Sequence, residues 1–501
     1  MRYFSLQPSR AMPMHMDQSD PATLRPGDNC WRIERANRAT VIIDADDYFQ
    51  RARAAMLKAK RRIMLIGWDF DSRIDLGKTG ADHAPEKVGE FIYWLVQNNP
   101  QLEIYLLRWD VGAIKTLARG STFFTLLKWM AHPRISTKLD GVHPPAASHH
   151  QKIVVIDDCL AFCGGIDMTG ERWDTRDHAD SDPGRHLPNG QPYKPWHDAI
   201  TALEGPVARA LGDHARERWH LAGGKPLAEV KEAGDCWPED LPVQFENVEV
   251  AISRSAPEVA GRDAVLEIER LYLDQIARAK RYIYAESQYF ASRKIAEAIA
   301  RRLDEPDGPE IVIVNPLTAQ GWLEPLAMDT ARARLFQALH HRDRHGRFRI
   351  YHPYTAGGEA IYVHAKLLVV DDQVLRVGSS NMNNRSLRLD TECDVTIDAA
   401  RTPNAAATAM IEDIRDDLLA EHLGIDIDRL RACWEETGSL IATIETLRCP
   451  GRSLRPYEVP ELSAVEEWLA DNEVLDPEGP DEMFEALSKR SLFRRRLRAP
   501  K

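Results

Sequence analysis

The chain has 501 residues, 44% of them hydrophobic and 28% charged, with Lys+Arg 65 against Asp+Glu 77 and a formal net charge of -12. That length exceeds what one core serves, so two or three domains are expected, and no apolar run reaches the roughly 20 residues of a membrane-spanning helix. The acidic balance works against a protein that tracks a nucleic-acid backbone, while leaving room for a local basic pocket.

Met1 to Cys30 reads as a flexible leader, mixed in Pro, Ser and charge, without a secretory pattern. Helical spacing follows at Asp46 to Lys60, then a buried strand at Arg62 to Trp68, a helix near Glu86 to Gln97, and a strand at Leu102 to Trp109. Thr122 to Met130 reads as helix and Arg134 to Leu139 as extended. Two apolar strands, His149 to Asp157 and Cys159 to Cys163, are joined by a short reversal. Asp174 to Lys194, dense in Asp, His, Pro and Gly, is expected to be a mobile surface loop.

The same order returns. Helix Asp263 to Lys280 precedes strand Arg281 to Ala285, helix Lys294 to Leu303 precedes Glu310 to Val314, and helix Leu326 to His340 precedes Phe348 to Tyr351. Tyr362 to Val370 and Val374 to Val377 then repeat the strand pair. The reading is a duplicated α/β protein: first half 31–222, linker 223–245, second half 246–422, and a mostly helical extension 423–501 ending in a basic run. The seven cysteines, Cys30, Cys159, Cys163, Cys236, Cys393, Cys433 and Cys449, follow no CxxC spacing, which points to reduced thiols.

Chemistry concentrates in two segments. His150-Gln-Lys152 leads through an apolar run to Asp157, and His364-Ala-Lys366 leads likewise to Asp371. Both have the form HxKxxxxD, followed at one offset by Gly164-Gly-Ile-Asp167 and Gly378-Ser379-Ser380-Asn381. Residues two apart on extended chain share a face, so each His projects with its Lys. Two lysines can hold an anionic phosphodiester without a metal, and two imidazoles can divide attack and protonation between them. Asp167, Asn381, Ser379 and Ser380 are candidates to contact substrate oxygens. Asp157 and Asp371 complete the motifs and, at strand ends, are expected to fix local structure.

With these motifs the sequence resembles the phospholipase D superfamily. The likeness extends to Gly164–Asp174, Pro195-Trp-His-Asp198, Tyr284–Phe290, Gly378–Ser386 and Asp390-Thr-Glu392. It implies two α/β halves around one shared cleft, and a covalent phosphohistidine formed without metal or cofactor. His150 is then the nucleophile and His364 the acid and base, with near-symmetry leaving the reverse assignment open. Asp174 and Glu392 become candidates to orient the imidazoles. Asp167 stands where the family often has Asn, a position where an anion needs hydrogen bonds. The implied reaction is phospholipase D hydrolysis of a glycerophospholipid to phosphatidic acid and headgroup, with transfer to another alcohol also open. Alternatives are a cardiolipin synthase-type phosphatidyltransferase, a nuclease and a non-catalytic lipid-binding scaffold. The expected partner is a phospholipid at a membrane surface, without nucleic acid, and the expected location is cytoplasmic or peripheral to a membrane. Trp173 and Trp196 are candidates for the rim of the cleft, and His149 and His178 for structural or rim roles.

Overall fold

A computed structural model describes residues 24–77, 83–110, 121–145, 147–231, 234–259, 261–320 and 328–460. Most of the expected leader and the basic C-terminal run lie outside these residues. In the first half, β1 (Arg32–Ile43) and α1 (Ala45–Leu57) precede β2 (Arg62–Gly67), α2 (Val88–Asn98), β3 (Glu103–Trp109), α3 (Ser121–Met130) and β4 (Ile135–Asp140). Then come β5 (Ile153–Ile156), β6 (Leu160–Gly164), β7 (Trp196–His197), β8 (Ala199–Glu204) and α4 (Pro206–Leu221).

The second half repeats this plan with β9 (Phe245–Ala256), β10 (Val265–Leu266), α5 (Glu267–Arg278), β11 (Tyr282–Glu286), α6 (Arg293–Leu303), β12 (Glu310–Val314) and α7 (Thr330–Arg342). It continues through β13 (Phe348–Tyr354), β14 (Tyr362–Val363), β15 (Leu367–Val370), β16 (Val374–Gly378), β17 (Glu392–Asp398) and α8 (Ala407–Leu423). The extension adds α9 (Ile427–Thr437), α10 (Leu440–Leu447) and β18 (Ser453–Pro456). It is therefore not helical throughout, since β18 pairs antiparallel with β13 at the sheet edge.

Strand order makes the duplication explicit. The path runs β18-β13-β12-β11-β15-β16-β17-β9-β1-β8-β6-β5-β2-β3-β4, two like sequences meeting at the antiparallel β9–β1 pair. Motif strands β5 (Ile-Val-Val-Ile) and β15 (Leu-Leu-Val-Val) are buried throughout, as continuous apolar runs covered on both faces should be. One core spans both halves through Val41, Leu203, Val250, Val377 and Val395. Two others are private, one holding Phe49, Leu65 and Phe91 and the other Ile268, Ile283 and Ile299.

The motif aspartates act on this frame. Asp157 and Asp371 sit in left-handed backbone at the turns after β5 and β15, with φ 50 and 54, a conformation Asp tolerates better than most residues. The Asp157 carboxylate accepts the N–H groups of Lys60, Arg61 and Arg62 at 2.6, 2.8 and 2.6 Å. Asp371 accepts those of Lys280, Arg281 and Tyr282 at 2.7, 2.7 and 2.9 Å. Each ties the motif turn to the start of the neighbouring strand, so both belong to the scaffold rather than to the catalytic set.

Two connections differ from their expected character. Loop 174–194 is anchored rather than loose: Arg185 bonds the Asp174 carboxylate, His178 lies buried against Glu421, and Asp180 accepts the Gly357 N–H from the second half. Its buried polar residues Asp174, His178 and Arg185 face inward partners, which composition alone does not reveal. At the end of the expected leader, Cys30 and Asn29 are buried, and Arg25 pairs with Asp274. All seven cysteines are free thiols. Among the described residues no helix is long and apolar enough to cross a membrane.

Candidate active site

Each HxK segment lies just before its strand, in extended chain clasped by the opposite half. His150 donates its backbone N–H to the Thr391 carbonyl at 3.0 Å, and His364 donates its own to the His197 carbonyl at 2.7 Å. The His149–Thr391 bridge and the parallel β7–β14 pair are therefore counterparts, each docking a motif onto the strand start of the other half. The backbone alone brings the motifs to one place.

Side chains complete the exchange. His150 Nδ1 lies 3.0 Å from both carboxylate oxygens of Glu392, and His364 Nδ1 lies 2.7 Å from Asp198 Oδ2. Register explains the pairing. Gly164 pairs with Ile200 and Gly378 with Asp394. Asp198 and Glu392 each stand two residues before those partners, so they are the same position in the two halves. The expected orienting role of Glu392 matches this geometry, but that of Asp174 does not. Asp174 is spent on His178 at 3.0 Å, on Arg185, and on the Trp196 N–H at 2.8 Å. Asp198 takes its place. Its signal was present in Pro195-Trp-His-Asp198, but only strand register shows that it matches Glu392.

The two lysines have different neighbours. Lys152 donates to the His150 carbonyl at 2.6 Å and lies 3.3 Å from Asp167 Oδ2, whose Oδ1 accepts the Trp68 N–H at 3.0 Å. Asp167 is thus an anion paired with a cation and bonded to an amide through Oδ1, while its buried Oδ2 makes no hydrogen bond. Lys366 donates to the His364 carbonyl and approaches the neutral Gln288 Oε1 at 3.5 Å, which Asn381 Nδ2 also approaches at 3.5 Å. Asn381 therefore stays beside the cleft. Gln288 was missed, because an isolated Gln carries no motif signal.

Ser379 and Ser380 face inward instead of toward substrate. Ser379 donates to Glu392 Oε2 at 2.5 Å and Ser380 donates to Asp394 Oδ2 at 2.6 Å. Ser386, also missed, donates to Glu392 Oε1 at 2.7 Å. These hydroxyls satisfy buried carboxylates, so Ser379 and Ser386 hold Glu392 in place rather than bind phosphate.

Burial sets the electrostatics. Desolvation, followed by the charges of Lys152 and Lys366, holds His150 well below the usual histidine range. His364 is depressed in the same way by burial, then by Lys366, Arg172, Lys152 and His150. Both lysines act on both imidazoles, as one shared cleft requires. Burial pushes the Asp198 carboxyl up to about 6 and the Glu392 carboxyl well above its ordinary value. Lys366 is pushed down to about 7, again chiefly by burial. Arg172 is a further cation at the site, lying 4.3 Å over the Trp196 ring. Trp196 stacks on Tyr362 at 4.6 Å and packs against His364 at 5.1 Å, forming the wall behind that imidazole. On the other side, Trp68 stacks on Trp109 at 5.7 Å and lies edge-on to His150 at 6.4 Å. Trp173 stands apart, with its indole N–H donated to Asp46 at 3.0 Å. His149 is buried against Asp140 and Thr391 at 3.1 Å each, a structural placement.

Comparison with known proteins agrees with this architecture. The family model described as "Phospholipase D" matches residues 55–296, and one described as "Cardiolipin synthase, PLD-like domain" matches 272–415. "Phospholipase D alpha 1" of Carica papaya is 26% identical over 396 residues, covering 56% of this chain and 49% of that protein. "Phospholipase D alpha 1" of Arabidopsis thaliana is 25% identical over 491 residues, covering 73% and 57%. The chain thus spans about half the length of the curated relatives it matches. The phosphatidylserine synthase structure from Haemophilus influenzae Rd KW20 shares the fold at a TM-score of 0.51 and 14% identity, covering 77% of this chain and 88% of that one. The chain belongs to the phospholipase D superfamily.

Proposed function

We propose that this chain is a phospholipase D-type phosphodiesterase, hydrolysing the distal phosphodiester of a glycerophospholipid to phosphatidic acid and the free headgroup. The observation that carries the reading is the crossed pair of clasps, His150 on Glu392 and His364 on Asp198, within one field of two lysines. With Nδ1 engaged by a carboxylate, Nε2 is the nitrogen that faces the reaction.

In this reading His150 is neutral and its Nε2 attacks phosphorus, while Lys152, Lys366 and Arg172 draw charge from the phosphate oxygens. The bound anion raises the proton affinity of His364, which takes up a proton and delivers it to the departing alcohol oxygen as the P–O bond breaks. A water then gives its proton back to His364, and its oxygen displaces His150 from phosphorus. Packed against Trp196 and clasped at Nδ1 by Asp198, His364 keeps one orientation through both transfers. The site works at a membrane surface, with the chain peripheral to it.

A second reading, a phosphatidyltransferase, has the cardiolipin synthase-type family match over 272–415 in its favour. It differs only in the acceptor, an alcohol replacing water in the second step. Mass spectrometry of products from phosphatidylcholine mixed micelles, with and without a primary alcohol, tests both. Phosphatidic acid and choline are expected without alcohol. Product appearing only with an alcohol acceptor transfers the assignment to the second reading, and no headgroup release under either condition removes both.

A further inference from the structure

Behind the site lies a second cluster that the reaction above does not use. It joins Asp44, at the β1–α1 junction, with His178 from loop 174–194, His197 of β7 and Glu421 of α8, all fully buried. Glu421 Oε1 is 3.1 Å from His178 Nε2 and 3.0 Å from His197 Nδ1. Asp44 Oδ2 is 3.4 Å from His178 Nε2 and Asp44 Oδ1 is 3.3 Å from His197 Nδ1. Four donors about 2.0 Å from one ion in a tetrahedron are about 3.3 Å apart, close to these four nitrogen–oxygen distances, and all four ligand atoms lie within 4.8 Å of one another.

Three further observations point inward. The second nitrogen of each ring already faces a carboxylate: His178 Nδ1 lies 3.0 Å from Asp174, and His197 Nε2 lies 2.9 Å from Glu286. That is the outer arrangement that turns an imidazole lone pair toward a metal. Glu421 Oε2 is held from behind by Arg176 Nε at 2.5 Å, leaving Oε1 to face the centre. Asp44 Oδ2 and His197 Nδ1 are buried at ion-pair distances, yet neither makes a hydrogen bond. Charge admits the same answer. Asp44, Glu421, Asp174 and Glu286 face only Arg176 and Arg185 among the neighbouring permanent cations of the described residues, so the rest of their charge is met either by protons on His178, His197 and His422 or by a bound cation.

We propose that Asp44, His178, His197 and Glu421 form a structural binding site for one divalent zinc ion. Two imidazoles with two carboxylates suit zinc, whereas calcium and magnesium prefer all-oxygen sets. All four positions are taken by protein, so the ion opens no place for substrate and takes no part in the phosphodiester step. Its work is to join the halves: α8 of the second half is fastened to β1, β7 and loop 174–194 of the first. It also steadies His364, because His197 accepts the His364 backbone N–H and is followed by Asp198.

The test uses the full chain produced in zinc-supplemented medium. Elemental analysis is expected to find about one zinc per chain, and zinc-edge X-ray absorption about two nitrogen and two oxygen neighbours near 2.0 Å. The isosteric variant Asp44→Asn and, separately, His178→Gln are expected to hold less than about a tenth as much. Stripping the wild-type chain with a chelator is expected to lower its Tm, and zinc chloride to restore it. A chain that carries no zinc and whose Tm ignores zinc chloride overturns the proposal, two protons then supplying the missing charge. Zinc retained in full by both variants overturns it as well, by placing the ion elsewhere.

Discussion

The two imidazoles occupy one position in a duplicated frame, yet their surroundings have diverged. On the His150 side the clasping carboxylate is Glu392, fed by the hydroxyls of Ser379 and Ser386, and the lysine is compensated by Asp167. On the His364 side the carboxylate is the shorter Asp198, fed by the Ala199 backbone N–H at 2.8 Å, and the lysine donates to the His364 carbonyl and approaches the neutral Gln288 amide. His150 is also the more open ring, its side chain 15% exposed against 6% for His364. The difference teaches how a symmetric fold assigns unequal tasks. The better exposed, charge-balanced side suits the attacking nitrogen, and the enclosed side with the less compensated lysine suits the proton carrier.

The sharpest way to break the comparison is to remove one ring at a time. His150→Ala and His364→Ala are each expected to lower turnover on the order of 10³-fold or more, since each supplies a distinct step. Near-normal headgroup release by either variant would show that the halves do not share a site. Single-turnover mass spectrometry sharpens the assignment: His364→Gln is expected to accumulate phosphorylated His150, and a phosphoryl group on His364 in His150→Gln would reverse the roles.

Next come the clasps. Asp198→Asn and Glu392→Gln keep the shape but remove the charge, and each is expected to cost about 10²-fold in kcat with a smaller change in KM, because ring orientation serves the transition state. Equal losses in kcat and in substrate affinity would mean that these carboxylates touch substrate instead.

Lys366 gives a pH dependence with a definite sign. Burial lowers it to about 7, so its charge is present below that pH and lost above it. The basic limb of kcat/KM is expected to fall by up to about tenfold per pH unit above neutrality, while kcat stays flatter because bound phosphate restores the charge. Lys366→Arg, which keeps its proton, is expected to move that limb upward, and a flat wild-type profile from about pH 6 to 9 would contradict the assignment. The smallest effect is at Asp167. Asp167→Asn makes the first half resemble the second and, by removing the counter-ion of the buried Lys152, is expected to change KM by only a few-fold, toward tighter phosphate binding, while lowering Tm. A loss of structure would show instead that Lys152 needs its partner for folding.

Much of this was legible in the chain. The repeated HxKxxxxD spacing located both imidazoles and both lysines, and the apolar runs Ile153–Ile156 and Leu367–Val370 located the strands that carry them. The long central strands were not read. β1 begins Arg-Ile-Glu-Arg-Ala-Asn-Arg, mixing charge into its less buried first half, and β9 likewise opens Phe-Glu-Asn-Val-Glu, so neither shows a continuous apolar signature. The Asp198–His364 contact is 166 residues long in sequence and depends on strand register, which no local pattern reports. Ser379 and Ser380 had the right composition for a phosphate loop, but a hydroxyl is equally suited to a buried carboxylate, and burial decided between the two. The inward polar contacts of loop 174–194 were hidden for the same reason: surface and interior hydrogen bonding use the same residue types.

The crossed clasps carry a consequence for control. Because each ring is held in register by the opposite half, any slippage along the β1–β9 seam disarms both rings in a single movement. A ligand or modification that merely wedges this seam would act as an off-switch without entering the cleft, and half a molecule, however well folded, would be inert.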